Sequence, residues 1–489
     1  MHISNQAVAK MRLAKPIAVA AILVGSFGAA GAATVCVDPG NPGACASTIQ
    51  AGIDAAVAGD TVVLNKGTYY ENVQVPAGKD GLTIQAQGKN PKGFVLDAGL
   101  PNAGAALSIA SAGVTVQGLT LRNGSSAGIV FEPGADGGAV SKVTIQAFSQ
   151  GCLVATGDSY SITESTFTFC GSHDGWEGYA GVYLGGDDAS VTDSTFSHHQ
   201  SSALIIEGTN GIASRNTFSL VDYRAIAFPA EGNTATANDN RVTDSDTGIS
   251  SNGAQLTALR NRGERLNDEI VRLSNYGSPC SGATLIADNY IDGATNDSGI
   301  TVICDEDVDP GTSIIVEDNV VKNAERAGME VRADGAVVRN NKVLDSGFNI
   351  DGGDAYTAGD FCYYIEGAGA VGVGNFAARC GTGGFGVAGD AAELRDNTAL
   401  KTGGTGFVII DGDAVVLTGN KSERNLQFGF AVDQSATAAV LSENRAKKNR
   451  EDLCDSGTGT VLSGNKFATS IDPPATYSCY WNESVNFGS

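Results

Sequence analysis

The chain has 489 residues with 65 glycines, only 17% charged residues and a formal net charge of −23. An exterior this acidic excludes nucleic acid as a partner, because that binding depends on Lys and Arg neutralising phosphates. It also argues against a polyanionic polysaccharide unless cations mediate the contact, and it keeps an exported protein soluble.

Residues 1–33 carry the pattern of a secretory signal peptide. Lys10, Arg12 and Lys15 form a basic region, Ile17 to Phe27 an apolar run, and Ala30-Gly31-Ala32 a small-residue cleavage pattern. Met11 is an alternative start that keeps every part of the signal. The apolar run is too short to span a bilayer, and no later segment reaches about 18 uninterrupted apolar residues. The expectation is an exported, extracellular or periplasmic protein without a membrane span, and a monomer.

Residues 34–75 read as an N-terminal cap with one helix and a first turn. Thr48 to Ala58 places Ile49, Ile53 and Val57 four apart after a possible N-cap at Ser47. Such a helix covers the open end of a stack of repeats.

From residue 76 to 470 the chain restates one phrase: an apolar residue, two residues, Asn, one residue, and an apolar or small residue. Val316-Glu-Asp-Asn-Val-Val321 and Val338-Arg-Asn-Asn-Lys-Val343 are examples. The Asn positions are 216, 240, 261, 289, 319, 341, 375, 397, 420, 444 and 465. Ser194, Ser165, Val143 and Leu119 carry the slot upstream. A spacing in the low twenties signals a solenoid, and the leucine-dominated consensus of leucine-rich repeats is missing. About ten residues after most of these slots comes Gly or Ala, apolar, any residue, apolar, as in Gly328-Met329-Glu330-Val331 and Gly406-Phe407-Val408-Ile409. That alternation describes a half-buried strand. The Asn is structural: it tolerates left-handed backbone, and its amide can bond backbone or its equivalent in the next turn. Stacked at about 4.8 Å per turn, fifteen slots make a rod roughly 70 Å long. Residues 471–489 form a C-terminal cap or tail.

The ten cysteines suggest disulfides in an exported chain. Cys152 and Cys362 each precede the strand phrase of their turn by one residue. Cys170 and Cys380 each lie five residues after the next slot, Ser165 or Asn375. Equal offsets predict one turn-to-turn bridge built twice, Cys152–Cys170 and Cys362–Cys380. Cys36–Cys45, Cys280–Cys304 and Cys454–Cys479 complete a sequential set. CxxC spacing is missing, and one of only four histidines is in the signal segment, so a metal role for the cysteines is disfavoured.

Thr48-Ile-Gln-Ala-Gly-Ile-Asp-Ala-Ala56, then Gly59-Asp-Thr-Val62 and Gly67-Thr-Tyr-Tyr-Glu-Asn-Val73, resemble the opening of pectin-lyase-like β-helix proteins. With the Asn phrases, the resemblance covers nearly all of the mature chain. It implies an all-β, single-stranded, right-handed parallel β-helix with a short capping helix. Lyases, esterases, epimerases, hydrolases and noncatalytic proteins share that fold. The Gly-His-Gly and Arg-x-Lys elements of polygalacturonases are missing. So are the later catalytic motifs of pectin methylesterases and the Asp-Pro-His-Asp phrase of mannuronan epimerases. The Gly67–Glu71 element is expected to close the first turn.

Such enzymes work on the face of the Gly-apolar-x-apolar strand. Its outward slots here hold Glu132, Tyr183, Glu207, Asn252, Arg272, Glu330, Arg332, Glu366, Asp411 and Asp433. Two insertions lengthen turns beside it. One is Ser172 to Tyr179, with Trp176, Glu177 and Tyr179; the other lies between Asn341 and Tyr363, with Asp351, Asp354, Tyr356 and Asp360. Aromatic rings beside carboxylates suit sugar binding. Tyr183, His199, Glu207, Arg224 and Arg272 are therefore the candidate catalytic residues: a base or charge from Arg224, Arg272 or His199, and an acid from Tyr183 or Tyr223. Trp176, Glu177, Tyr179, Tyr223, Glu330, Arg332 and Glu366 are the candidate glycan contacts. The sequence demands no cofactor. Calcium is the one candidate, held by Asp305, Asp307 and Asp309, although the EF-hand glycine and spacing are missing. Asp187-Asp188, adjacent on a strand, face opposite ways and make a poor hydrolytic pair. The expected function is engagement of a polysaccharide on one strand face, with lyase or epimerase chemistry. The alternative is a noncatalytic surface, adhesive or carbohydrate-binding rod.

Overall fold

A computed structural model describes residues 32–41, 43–88, 91–99, 104–171, 180–230, 234–252, 255–275, 280, 282–304, 312–348, 361–471 and 479. The signal-like segment up to residue 31 lies outside them. So do both predicted insertions, with Trp176, Glu177, Tyr179, Asp351, Asp354, Tyr356 and Asp360, and the proposed calcium residues Asp305, Asp307 and Asp309.

The chain winds through three parallel sheets, adding one strand to each per turn. The first sheet holds 18 strands, from Thr34–Val37 to Val461–Ser463, and the second holds 16, from Gly67–Tyr69 to Arg445–Lys447. The third runs from Val73–Val75 to Ser470–Ile471 and contains the Gly-apolar-x-apolar strands. Pairing is in register from turn to turn: Val320 pairs with Lys342 in the second sheet, and Met329 with Tyr363 in the third. This is the expected right-handed parallel β-helix.

Alternation fills the centre of the coil. Every second residue of a strand points inward, and these positions merge into one continuous core along the coil. Equivalent inward positions stack similar side chains. Phe167, Phe196 and Phe218 lie 5.0 and 4.7 Å apart in the second sheet. Tyr363, Phe385, Phe407 and Phe430 stack at 4.6, 4.8 and 5.0 Å in the third, nearly coplanar.

The corner between the first and second sheets is built on the asparagine ladder. Each ladder Asn from Asn216 to Asn444 is buried, and Asn465 at the end is half-buried. Asn319 shows the pattern: its Oδ1 accepts from the Asn289 backbone N–H at 2.9 Å, while its Nδ2 donates to Ile286 O at 2.8 Å and to Asn341 Oδ1 at 3.0 Å. The ladder runs unbroken from Asn216 to Asn465. Ser194 and Ser165 continue it upstream, each hydroxyl accepting the preceding rung's N–H at 3.1 and 3.3 Å. The left-handed residue is not the Asn, as the sequence suggested, but the residue before it. Asp239, Arg260 and Asp318 have φ of 58°, 54° and 54°. That bend turns the Asn inward, where its amide supplies the corner's backbone with partners it would otherwise lack.

All five disulfides join the expected cysteines. Cys152–Cys170 and Cys362–Cys380 have Cα separations of 5.3 and 5.5 Å. Each clips a third-sheet strand to the end of the following turn's second-sheet strand.

At the N-terminal end the helix spans Ile49–Ala55, shorter than expected, and its N-cap is Thr48, whose Oγ1 accepts from Ala51 N at 3.1 Å. Ile49 and Ile53 are buried over the core, but Val57 is 64% exposed and outside the helix. Asp60 ends the helix early by taking the Val57 N–H at 2.8 Å and the Ala33 N–H at 2.7 Å. Gly52 is needed for close approach, since a Cβ there would lie 2.5 Å from a Val37 methyl. The Gly67–Glu71 element closes the first turn and also caps the helix: the Glu71 carboxylate takes the Ile49 and Gln50 N–H groups at 2.7 and 3.0 Å.

Asn319→Ala removes the acceptor for one buried N–H and the donor for one buried carbonyl, and each orphaned group costs about 1–3 kcal/mol. The urea midpoint should fall clearly. Asn216→Ser should cost less than half as much, because serine performs the acceptor role in the two preceding turns. Equal losses would contradict this account of the ladder.

Candidate functional site

The outward face of the third sheet carries the polar chemistry. In-register pairing aligns Tyr183, Ile205, Ala227, Ser250, Arg272, Thr301, Glu330 and Tyr364 in one outward row. A second row aligns Ser274, Ile303, Arg332 and Glu366. At the entry to these strands, Glu269 and Ser298 occupy equivalent positions, just before the bend at Ile270 and Gly299.

A cluster of charges gathers where these rows meet. Glu269 is 1% exposed, and its Oε1 lies 3.8 Å from Arg272 Nη1. Its other oxygen, Oε2, and the Thr301 hydroxyl are buried without a hydrogen-bond partner. Two strands on from Arg272, Glu330 accepts from the Ser298 hydroxyl at 3.5 Å and lies 2.8 Å from Arg332 Nε. The same Nε is 3.4 Å from Glu366, and the Arg332 guanidinium sits 5.4 Å from the Tyr364 ring centroid. Asp297 lies 3.8 Å from Arg326.

Burial makes these carboxyls reluctant to ionise. Loss of water pushes the Glu269 carboxyl up to about 7; the negative Asp297 adds to the effect and Arg272 opposes it. Burial also raises Glu330, against the pull of Arg332, and raises Asp268, helped by Asp246 and Asp297. Tyr364 is raised by burial and by Glu366. The cluster thus holds a carboxyl pushed by burial up to about 7 beside one fixed cation, Arg272, an arrangement suited to proton transfer next to a developing negative charge.

The predicted residues divide. Arg272, Glu330, Arg332 and Glu366 lie in this cluster. The Tyr183 hydroxyl donates to Glu207, but the pair stands four strands from Arg272, roughly 19 Å along the coil. Between them Ile205 and Ala227 are buried in a small apolar cluster with Ala180, against which Tyr183 packs. Arg224 stacks on the ring of Tyr223 at 4.5 Å, in the strand two turns before Glu269.

His199 is not on the face at all. It is 1% exposed, with Nδ1 3.0 Å from Cys170 O and Nε2 3.1 Å from Phe167 O, and burial lowers its basicity. Both ring nitrogens are taken up by backbone carbonyls of the second sheet, so the imidazole has no free nitrogen to offer a substrate on the third-sheet face. Asp433 is also buried, its Oδ1 accepting from Ser435 N at 3.2 Å to close a turn. Asp187 likewise accepts from Thr209 N at 2.7 Å, a turn contact that holds its carboxyl low. The glycan candidates Trp176, Glu177 and Tyr179 and the calcium candidates Asp305, Asp307 and Asp309 lie outside the described residues.

The sequence reading missed Glu269, Asp268, Asp297 and Tyr364. A signal for Glu269 was present. Its slot holds Thr247 one turn earlier and Ser298 one turn later, so a carboxylate there breaks the pattern. A shallow concavity of 470 Å³, lined by Asp246 and Asn267 among others, borders the cluster. Another of 840 Å³ opens elsewhere, at the corner where the rings of Phe169 and His198 stack 4.5 Å apart. None of its lining residues forms an ion pair among the described residues.

A family model described as "Right handed beta helix region" matches residues 104–262 and 282–471. No curated protein sequence matches. Among solved structures, the catalytic unit of the GH87 α-1,3-glucanase from Streptomyces thermodiastaticus strain HF3-3 is 13% identical, covering 88% of this chain and 67% of the glucanase chain, with a TM-score of 0.36. The A-module of the mannuronan C-5 epimerase AlgE6 from Azotobacter vinelandii is 15% identical, with coverages of 87% and 94% and a TM-score of 0.27. The PL6 family alginate lyase AlyGC is 10% identical, with coverages of 90% and 100% and a TM-score of 0.28.

Glu269 makes stability depend on pH in a definite direction. Unfolded, its pKa is about 4.3; folded, it is about 7. The folded state therefore holds a proton that the unfolded state has released, and stability falls as pH rises from about 4.3 to 7. Glu269→Gln removes that penalty. It should raise the thermal midpoint at pH 8, by up to roughly 3 kcal/mol in free energy, and change it little at pH 5. Destabilisation at both pH values would mean that Glu269 is an ionised structural partner of Arg272.

Proposed function

The chain belongs to the right-handed β-helix family, and on that premise we propose that it is an exported protein acting on a uronate-containing polysaccharide. The glycan lies across the outer face of the third sheet. The observation that carries this reading is the buried Glu269 carboxyl, pushed up to about 7, beside Arg272 and two strands from the Glu330–Arg332 pair.

Lyase and epimerase reactions begin alike. A base removes the proton on the ring carbon beside the uronate carboxyl, and the electrons of that C–H bond move into the carboxyl group. A cation must then hold the extra negative charge. Glu269 is the base, competent once its proton is lost, and Arg272 neutralises the carboxyl. Arg332 and Tyr364 position the neighbouring sugar, by charge and by ring contact. The intermediate either expels the glycosidic oxygen at the adjacent carbon, giving an unsaturated sugar, or takes a proton from the opposite face, giving the epimer. Glu330, whose carboxyl burial raises, would supply that proton, or in the elimination the proton that the departing glycosidic oxygen takes up. The Tyr183–Glu207 pair and Tyr223–Arg224 would contact the glycan further along the coil. Five disulfides and the signal-like N-terminus support export. Calcium remains part of the proposal only as a bridge between carboxylates of protein and polymer.

Purified protein should be incubated with alginate, pectate and glycosaminoglycans, with and without calcium. Ultraviolet absorbance of unsaturated products reports elimination, and deuterium uptake from solvent reports epimerisation. Turnover should rise with pH through about 7 as Glu269 ionises. Glu269→Gln should lower kcat by about 10²–10⁴-fold while polymer binding persists. Binding without turnover by the wild-type protein would favour the noncatalytic, carbohydrate-binding reading. Neither binding nor turnover on any polymer would sink the proposal.

A further inference from the structure

The acidity of the whole chain conceals a compact basic face on its last turns. Along most of the coil, corner cations are neutralised from the neighbouring turn. Arg215 grips Asp193 with two contacts of 2.7 and 2.6 Å, Arg260 grips Asp239 at 2.7 and 2.8 Å, and Arg265 grips Asp244 at 2.6 and 2.7 Å. Opposite charges thus alternate up the stack.

The pattern reverses over the final turns of the second sheet. Lys421 pairs in register with Arg445, which bridges to Lys466, so one outward row carries three cations in succession. The corner row beside it runs Lys401, Arg424 and Lys448, all with left-handed φ of 55°, 60° and 61° that turn them out to solvent. Lys447 stands between the two rows, paired with Glu423. All seven cations are exposed. Glu423 is the one acid among them, 3.4 Å from Arg424. Lys401, Lys421, Arg445, Lys447, Lys448 and Lys466 form no ion pair among the described residues.

Like charges on neighbouring strands, one rise of about 4.8 Å apart, destabilise a sheet. A net charge of −23 supplies ample carboxylates that could have neutralised them, as they do elsewhere on the coil. We propose that this face is a docking surface for a linear, carboxylate-bearing polysaccharide, which lies along the coil axis with its charges following the two cation rows. Straight rows with a constant rise suit an extended polymer carrying one charge per sugar. The patch covers only about three rises, too short for the many phosphate contacts that duplex binding needs. Leu426 is 60% exposed beside the cation rows, and Val461 and Leu462, 53% and 48% exposed, lie on the last first-sheet strand rather than in the rows, which offers little for a lipid surface to bury there. The proposal shares its glycan class with the function proposed above, but not its residues: the patch lies on the second sheet and would hold the polymer whether or not the third-sheet cluster turns it over.

Binding of the full exported chain to polygalacturonate, followed by titration calorimetry over a series of NaCl concentrations, tests this. The wild-type protein should bind, more weakly as salt rises. The triple variant Lys421→Gln, Arg445→Gln, Lys448→Gln should bind at least about tenfold more weakly with a shallower salt dependence. Its thermal midpoint should be unchanged or higher at low salt, because repulsion has been removed. If that midpoint falls, the single variant Lys448→Gln decides, with a smaller but measurable loss of affinity expected. Glu269→Gln should leave this binding intact, which separates the patch from the catalytic proposal. The inference is overturned if polygalacturonate does not bind, or if the cation variants bind it as tightly as wild type. It is also overturned if anionic lipid vesicles or duplex DNA bind more tightly than polygalacturonate.

Discussion

Each turn of this coil depends on its neighbours for partners to its backbone, and the asparagine ladder is where that dependence is sharpest. Strand residues find partners in the next turn automatically, because parallel strands stack in register. A corner has no such ladder. The chain bends there through a left-handed residue, and the peptide groups around the bend face the core rather than water. One Asn per turn answers this by accepting an N–H from the preceding rung and donating to a carbonyl and to the next rung. Because the amide reaches both ways, the rungs must lie one rise apart. Insertions are thereby forced into the other corners, which is why the Asn spacing varies from 21 to 34 residues while the ladder stays continuous.

That constant rise turns each slot of the repeat into a line of side chains, and the chemistry of each line follows from what is stacked on what. Aromatics stacked inward give a row of rings about 5 Å apart. Alternating signs at a corner give bidentate ion pairs worth little individually, since they are exposed. Equal signs give the cation rows of the last turns. The disulfides use the same geometry, closing the second-to-third-sheet corner at two places with the same offset.

The charge cluster on the third sheet departs from these lines. Its groups come from three kinds of position: the bend before the strand (Glu269), the middle of the strand (Arg272, Glu330, Tyr364) and the strand's end (Arg332, Glu366). Burial outweighs pairing in setting the direction in which Glu269 and Glu330 are shifted, because little water reaches them and the arginines close by only partly offset its loss. Partly compensated charges of this kind are costly in a folded protein. Their position on the face open to a ligand, with two buried polar atoms left without partners, is what separates the cluster from the surface ion pairs elsewhere.

The amino-acid sequence by itself determined the coil. The recurring Asn, the alternation of the third-sheet strand and the equal cysteine offsets each depend on spacing along the chain, and a repeat with a constant rise converts spacing directly into position. Even the inward turn of His199 was legible: it lies five residues after Ser194, as Cys170 lies five after Ser165, and both slots face the core. Tertiary structure alone decided which outward residues act together. Arg272 stands three residues along the same segment, but Glu269 is special only because neighbouring turns remove its water and place Asp297 beside it, neither of which its own strand reveals. The basic face is likewise invisible in a net charge, because that sum does not record that seven cations fall on adjacent rungs. Protonation and recognition depend on distances between side chains on different turns, and those distances exist only once the turns are stacked.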